Sequence, residues 1–186
     1  YQTILDPEKL DLKTKGLVKM LFDWKKSSRL KKKAYWKGYR VNEEVLASSK
    51  TQKARDRKFH KIVSEDIDLD GLEVGAWRIT LKSGKSFSAR VSSAEITRIL
   101  RADLTQGLSN LLKKNAIDFA EIAEIEFFHT HPKAGDYFSL PLSKTDENTA
   151  LALKDNIYRK QNTNPRIKFY VIGEIENKAF VYKAEY

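Results

Sequence analysis

Short segments with strand patterns alternate with segments of helical periodicity from about residue 57 onward. Their order is strand, strand, helix, strand, helix, strand, strand. Elements in this order bury their apolar faces in a sheet covered by helices. The sequence therefore predicts an α/β fold with a mixed or antiparallel β-sheet sandwiched by helices. The segments that carry this pattern are 73–81, 86–91, 92–112, 121–129, 143–160, 167–172 and 179–182, with a further strand predicted over 59–63.

The strand that ends at His129 alternates between apolar and acidic residues. Since successive side chains of a strand point to opposite faces, one face of this strand is predicted to be buried. We interpret the acidic positions as its solvated face: Glu121, Glu124 and Glu126. The preceding hairpin is predicted from Lys82-Ser83-Gly84-Lys85, which has the composition of a turn.

The positive charge of the chain is concentrated near its beginning. Residues 1–66 hold 18 Lys and Arg against nine Asp and Glu, a net charge of +9, whereas residues 67–186 hold 17 against 16, a net of +1. The polar stretch 48–53 lacks periodicity and marks a boundary. We therefore predict a basic, mainly helical N-terminal extension over 1–54 and a second domain over 55–186.

Asp6-Pro7-Glu8 has the composition of a helix start, and a helical face carrying Leu17, Leu21 and Trp24 follows it. Residues 25–40 combine lysines with aromatic side chains. Such a segment can dock on its own domain, grip an acidic protein partner, or bind nucleic acid through phosphate contacts and base stacking. Because it contains no recognised nucleic-acid motif, we expect nucleic acid less than a protein partner.

The composition limits the kind of metal site and the compartment. The chain has no cysteine, so thiolate metal sites and disulfides are excluded. The lack of cysteine fits a reducing compartment, and we expect a cytoplasmic protein. No apolar run is long enough for a transmembrane helix, so no membrane association is expected.

Two of the three histidines stand in Phe128-His129-Thr130-His131-Pro132, and Ser143-x-x-Asp146 follows downstream. In an extended segment His129 and His131 point the same way. A carboxylate from the next element would complete three ligands and leave a fourth position open, as in catalytic zinc sites. Each half also has a structural interpretation: the histidines as ordinary strand residues, and Ser143-x-x-Asp146 as a helix capping box.

His-Thr-His-Pro followed by Ser-x-x-Asp resembles the JAMM motif of the MPN+ metalloprotease family. The resemblance covers roughly residues 57–186 and implies the MPN-like (cytidine-deaminase-like) α/β fold. It implies His129, His131 and Asp146 as Zn²⁺ ligands, with a water in the fourth position. It further implies Glu73 as general base and Ser143 as a donor to the oxyanion.

The segment between Pro132 and Ser143 is longer than the family usually has. It could form a substrate-facing flap with Tyr137 and Phe138. Asp136 within it is an alternative ligand to Asp146, and Glu65 is an alternative base to Glu73.

The resemblance implies a zinc-dependent isopeptidase or peptidase that removes or processes a ubiquitin-like modifier or another protein tail. Two rivals remain from other classes. One is a nucleic-acid-associated protein of the RadC type, and the other is a catalytically inactive MPN scaffold that binds a protein partner.

Overall fold

The computed structural model describes residues 2–27, 30, 53, 73–92, 99, 101–130, 144–175 and 178–186. Its strands are β1 (Gln2–Leu5), β2 (Gly75–Leu81), β3 (Ser86–Val91), β4 (Ile122–Thr130), β5 (Arg166–Ile175) and β6 (Lys178–Glu185). Its α-helices are α1 (Leu12–Lys25), α2 (Arg101–Lys114) and α3 (Lys144–Gln161). Single 3-10 turns at Pro7–Lys9 and Phe119–Glu121 precede α1 and β4. The strand predicted over 59–63 and His60 lie outside the described residues.

The six strands form one mixed sheet in the order β1-β6-β5-β4-β2-β3. β4 and β5 are parallel, and every other neighbouring pair is antiparallel. The predicted hairpin is confirmed as β2 and β3, and its turn contains Gly84 with a φ of 90°. A left-handed φ of this kind costs glycine little, which is why this residue suits the turn. The predicted closing hairpin is confirmed as β5 and β6.

Helices cover both faces of the sheet, so the prediction of a sandwiched mixed sheet is confirmed. On one face, α1 contributes Leu17, Val18 and Leu21 to a core with Phe128 and other strand residues. On the opposite face, α2 and α3 pack on a second core, which includes Trp77, Ile79, Leu104, Leu108, Leu111, Ile125, Phe127, Ala150, Ile157 and Phe169. Because alternate residues of β4 belong to the two cores, this central strand is buried on both sides.

Residues 2–25 belong to the same sheet and core as the strands after residue 73. β1 pairs with β6 at the edge of the sheet, and α1 packs on the sheet face. Asp6 caps a helical turn that begins at Pro7, as predicted, but this is only the 3-10 turn Pro7–Lys9, and α1 begins at Leu12. The extended backbone of Leu10 separates the two. The boundary predicted at residue 54 and most of the basic segment 25–40 lie outside the described residues.

The solvated face predicted for the acidic residues of β4 needs correction. Glu121 is exposed, but only 4% of Glu126 is accessible. One carboxylate oxygen of Glu126 accepts a hydrogen bond from Arg78 Nε at 2.8 Å, and the other accepts from the Tyr170 hydroxyl at 2.6 Å. Arg78 Nη1 also donates to the Thr14 hydroxyl of α1 at 3.0 Å. The acidic side chains of β4 therefore face α1, which partly covers them.

The helices of the described residues include none that is both long and apolar enough to cross a membrane.

Candidate metal centre

His129 lies at the carboxyl end of β4, between two neighbouring strands. It is aligned with Gly75 of β2 on one side and Val171 of β5 on the other. Only 1% of the residue is accessible, and its side chain lies on the sheet face that α2 and α3 cover. The sheet therefore fixes the position of the imidazole before any helix contributes to the site.

The imidazole of His129 rests on an aromatic cluster. Phe127, two residues earlier on the same face, stacks on His129 with ring centroids 5.2 Å apart and planes inclined by 15°. Phe127 in turn packs on Trp77 at 4.7 Å and on Phe169 at 5.3 Å. These close ring contacts limit the orientations available to the histidine.

The absence of a side chain at Gly75 makes room for this stack. A β-carbon there would lie 2.8 Å from Phe127 Cζ and 2.8 Å from the Phe128 carbonyl oxygen. Any other residue would displace the phenyl ring or the backbone of β4. From the sequence, Gly75 was assigned only to the predicted strand 73–81. A single glycine inside a strand often marks a place where another part of the protein approaches the backbone closely, and this signal was present in the sequence.

Asp146 reaches His129 from the first turn of α3. The chain leaves β4 at its carboxyl end and returns to the start of the parallel strand β5, so the beginning of α3 lies near the end of β4. Asp146 Oδ2 is 3.2 Å from His129 Nε2. A carboxylate in this position is also favoured by the partial positive charge of a helix N-terminus.

The electrostatics of the site raise the pKa of His129. Burial, the largest influence, lowers the pKa of His129. The charge and hydrogen bond of Asp146, with smaller contributions from the Glu73 charge and the Tyr170 backbone, outweigh it and hold the pKa above its ordinary value of 6.5. A cationic imidazole is thus compensated by two carboxylates.

Glu73 lies two residues before the start of β2 and is 8% accessible. The adjoining backbone is fixed to the end of β4, since Thr130 N–H donates to the Val74 carbonyl at 2.9 Å and Val74 N–H donates to the Thr130 hydroxyl at 3.2 Å. Ser92 Oγ donates to the Glu73 carbonyl at 3.3 Å. The charge of Glu73 is one of the influences that raise the pKa of His129.

The other candidate residues cannot be placed. The second histidine, the serine, the flap residues and the two alternative carboxylates all lie outside the described residues: His131, Ser143, Tyr137, Phe138, Asp136 and Glu65. Within the part of the chain that the structure describes, no three His, Cys, Asp or Glu side chains form a group that could hold a metal. A complete site thus requires a ligand from beyond these residues.

The two ligands that can be placed fit zinc. Nitrogen and oxygen atoms about 2.0–2.2 Å from a tetrahedral zinc lie roughly 3.3 Å from each other. The distance of 3.2 Å between His129 Nε2 and Asp146 Oδ2 is close to that value. It is also the distance of a hydrogen bond between an imidazole and a carboxylate.

Tyr186 is a neighbour of the site that sequence reasoning missed. Its ring packs edge-on against Phe169 with centroids 6.4 Å apart. Burial, followed by the charges of Glu147 and Asp146, raises the pKa of the Tyr186 hydroxyl. This hydroxyl therefore belongs to the electrostatic surroundings of Asp146, a relationship that no local pattern around residue 186 indicates.

These features define a mixed α/β protein in which a buried histidine at the carboxyl end of a central strand pairs with a partly exposed aspartate. Comparison of the chain with protein-family models, with curated proteins and with solved structures finds no match.

Proposed function

We propose that this protein is a zinc-dependent isopeptidase or peptidase of the JAMM type, acting on a ubiquitin-like modifier or another protein tail. The observation that supports the proposal best is the 3.2 Å approach of His129 Nε2 to Asp146 Oδ2, two ligand types that zinc accepts at a separation it requires. His131 would be the third ligand. Ser143 would donate to the oxyanion, and Tyr137 and Phe138 would contact the substrate.

Each described residue has a defined role in this proposal. When bound, zinc would supply the positive charge that polarises a scissile carbonyl. His129 can offer Nε2 to zinc only as a neutral imidazole, so zinc would compete with a proton for this atom. Glu73, buried beside the site, would take a proton from the attacking water and return it to the leaving amine.

A test of the metal centre compares Asp146→Asn with Asp155→Asn. Both change one carboxylate of α3 to an amide, but Asp155 is exposed and pairs only with Arg159 at 3.1 Å among the described side chains. We expect about one zinc per chain in the wild type and in Asp155→Asn by elemental analysis, and a loss of most zinc in Asp146→Asn. An unchanged zinc content in Asp146→Asn would indicate that Asp136 is the ligand in place of Asp146.

Activity is tested separately, with zinc-loaded protein and isopeptide-linked ubiquitin-like conjugates. Glu73→Gln should keep its zinc and lose turnover, because glutamine cannot accept the proton. Full activity in Glu73→Gln would assign the base to Glu65 or another carboxylate.

A metal-free scaffold that binds a protein partner is the second candidate. The observation that favours it is the same pair, since the Asp146 carboxylate lies 3.2 Å from His129 Nε2 and can serve as its hydrogen-bond partner. Absence of zinc in the wild type after metal is supplied would select this candidate.

The RadC-like alternative depends on the basic segment 25–40, which is mostly outside the described residues. Salt-dependent DNA binding that disappears in a variant with its lysines changed to glutamine would favour it.

A further inference from the structure

A cavity of about 360 Å³ lies between α2 and α3, on the same sheet face as His129. This volume is within the range of small-molecule sites. Apolar side chains supply most of its wall, and they come from both helices, from β2 and from the 3-10 turn before β4: Trp77, Leu104, Leu108, Leu112, Phe119, Leu153 and Ile157.

The residues that line the cavity are spread along two helices that run side by side in the same direction. β3 and β4 are both antiparallel to β2, so α2 links two parallel strands, as α3 does for β4 and β5. The positions of α2 that line the cavity extend from Arg101 to Leu112, about 16 Å along the helix axis. An extended chain fits this shape better than a compact ligand does.

Trp77 contributes the carbon atoms of its ring to the cavity wall, but not its indole nitrogen. Its indole Nε1 donates a hydrogen bond to the Leu104 carbonyl at 3.0 Å. The rest of the indole packs against Phe127 or lines the cavity. The inner wall is therefore suited to hydrocarbon.

The charged side chains among the described residues that line the cavity are all positive. Arg101 and Lys160 are exposed and line it, and no acidic side chain is among the described residues that do so. Arg101 opens α2 and Lys160 belongs to the last turn of α3, so the two cations lie toward opposite ends of the cavity. A ligand with an apolar body thus meets a cation at either end.

We propose that this cavity binds a medium-chain carboxylate, with the hydrocarbon chain between the helices and the carboxylate at Arg101 or Lys160. Burial of the chain would supply most of the affinity, and the cation would select the anion over a neutral or cationic molecule of equal length. The proposal goes beyond the hydrolase and depends on neither zinc nor Glu73.

The test measures binding of decanoate, decanol and decyltrimethylammonium by calorimetry, with the two ions below their micelle concentrations and decanol below its solubility limit. Decanoate should bind roughly tenfold more tightly than decanol, and the cation should bind most weakly. Tryptophan emission should change on binding, because Trp77 lines the cavity. Equal affinities for all three molecules would overturn the proposal.

Variants locate the ligand. Ala152→Phe places a ring in the cavity and should abolish decanoate binding. Arg101→Gln or Lys160→Gln should lower the affinity roughly tenfold and remove the preference over decanol. Lys113→Gln is the matched control, an exposed lysine of α2 that does not line the cavity.

Wild-type affinity in both Arg101→Gln and Lys160→Gln would overturn the proposal even if Ala152→Phe failed to fold. Unchanged binding in a folded Ala152→Phe would overturn it as well, because it would place decanoate elsewhere.

Discussion

The Phe127 ring occupies the space that a side chain at Gly75 would need, with Phe127 Cζ only 2.8 Å from the position of a β-carbon. The same ring stacks on His129. The orientation of the His129 imidazole thus depends in part on the absence of a side chain at Gly75 of the neighbouring strand.

Gly75→Ala should therefore destabilise the protein and weaken zinc binding. Overpacking of this kind costs about 1–3 kcal/mol, and the displaced ring would change the orientation of His129. Chemical denaturation and zinc titration measure the two effects.

Gly16→Ala is the control for Gly75→Ala. Gly16 lies within α1, and a β-carbon there would meet no atom within 4 Å. Alanine should stabilise the helix by roughly 0.5–1 kcal/mol. If both variants had the same stability and zinc affinity as the wild type, the close approach of Phe127 to Gly75 would contribute to neither quantity.

Arg78→Met should be strongly destabilising. It removes the guanidinium from Glu126, whose side chain is only 5% exposed. Of the two described side chains that donate to this carboxylate, only the Tyr170 hydroxyl then remains. Breaking a buried ion pair in this way costs about 3–5 kcal/mol.

The surface pair Lys144–Glu147, 3.1 Å apart, provides the comparison for Arg78→Met. Lys144→Met should change the free energy of unfolding by roughly 0–1 kcal/mol, because the Lys144 side chain is 80% exposed. Similar losses in the two variants would show that burial does not strengthen the Arg78 interaction.

Tyr170→Phe should reveal a pH dependence on the alkaline side. Burial, then the charge of Glu126 and the hydrogen bond to it, raises the pKa of Tyr170 far above its ordinary value of 10.0. The raised pKa stabilises the fold fully below pH 10, and this stability is lost as the pH rises above 10 because only the unfolded chain then ionises readily.

At pH 8, Tyr170→Phe should cost about 1–3 kcal/mol through the lost donor to Glu126. Its deficit relative to the wild type should shrink between pH 8 and pH 11, as measured by urea denaturation at each pH. A deficit that grew with pH would contradict the assignment.

Glu73→Gln should lower the pKa of His129 in the metal-free protein. The negative charge of Glu73 favours the protonated imidazole, so removing the charge disfavours it. NMR titration of the His129 ring protons measures the shift, with Glu121→Gln as an exposed control. An unchanged pKa of His129 would show that the charge of Glu73 does not act on it, and would favour Glu65 as the base.

Local sequence patterns predicted much of the architecture. The β2–β3 hairpin is encoded by two strand patterns and a turn at Gly84, and the closing hairpin by two more. The same local patterns placed Asp146 in a first helical turn and His129 at a strand end. These features depend on neighbours within a few residues, which is why periodicity detects them.

The acidic residues of β4 show where local patterns fail. Alternation along a strand separates its two faces but does not say what lies over each of them. Glu126 looked solvent-facing because it alternates with apolar residues, yet Arg78, Tyr170 and α1 enclose it. Only the tertiary structure brings α1 onto that face.

The sequence by itself determined the strands, the turns and the residue types offered to a metal, because backbone propensity and side-chain chemistry are local. The tertiary structure decided that His129 and Asp146, 17 positions apart, meet at 3.2 Å. It also decided that Gly75 accommodates Phe127 and that both faces of β4 are buried. These relationships depend on strand register and helix packing, which join residues distant in the chain and leave no signature in any short segment.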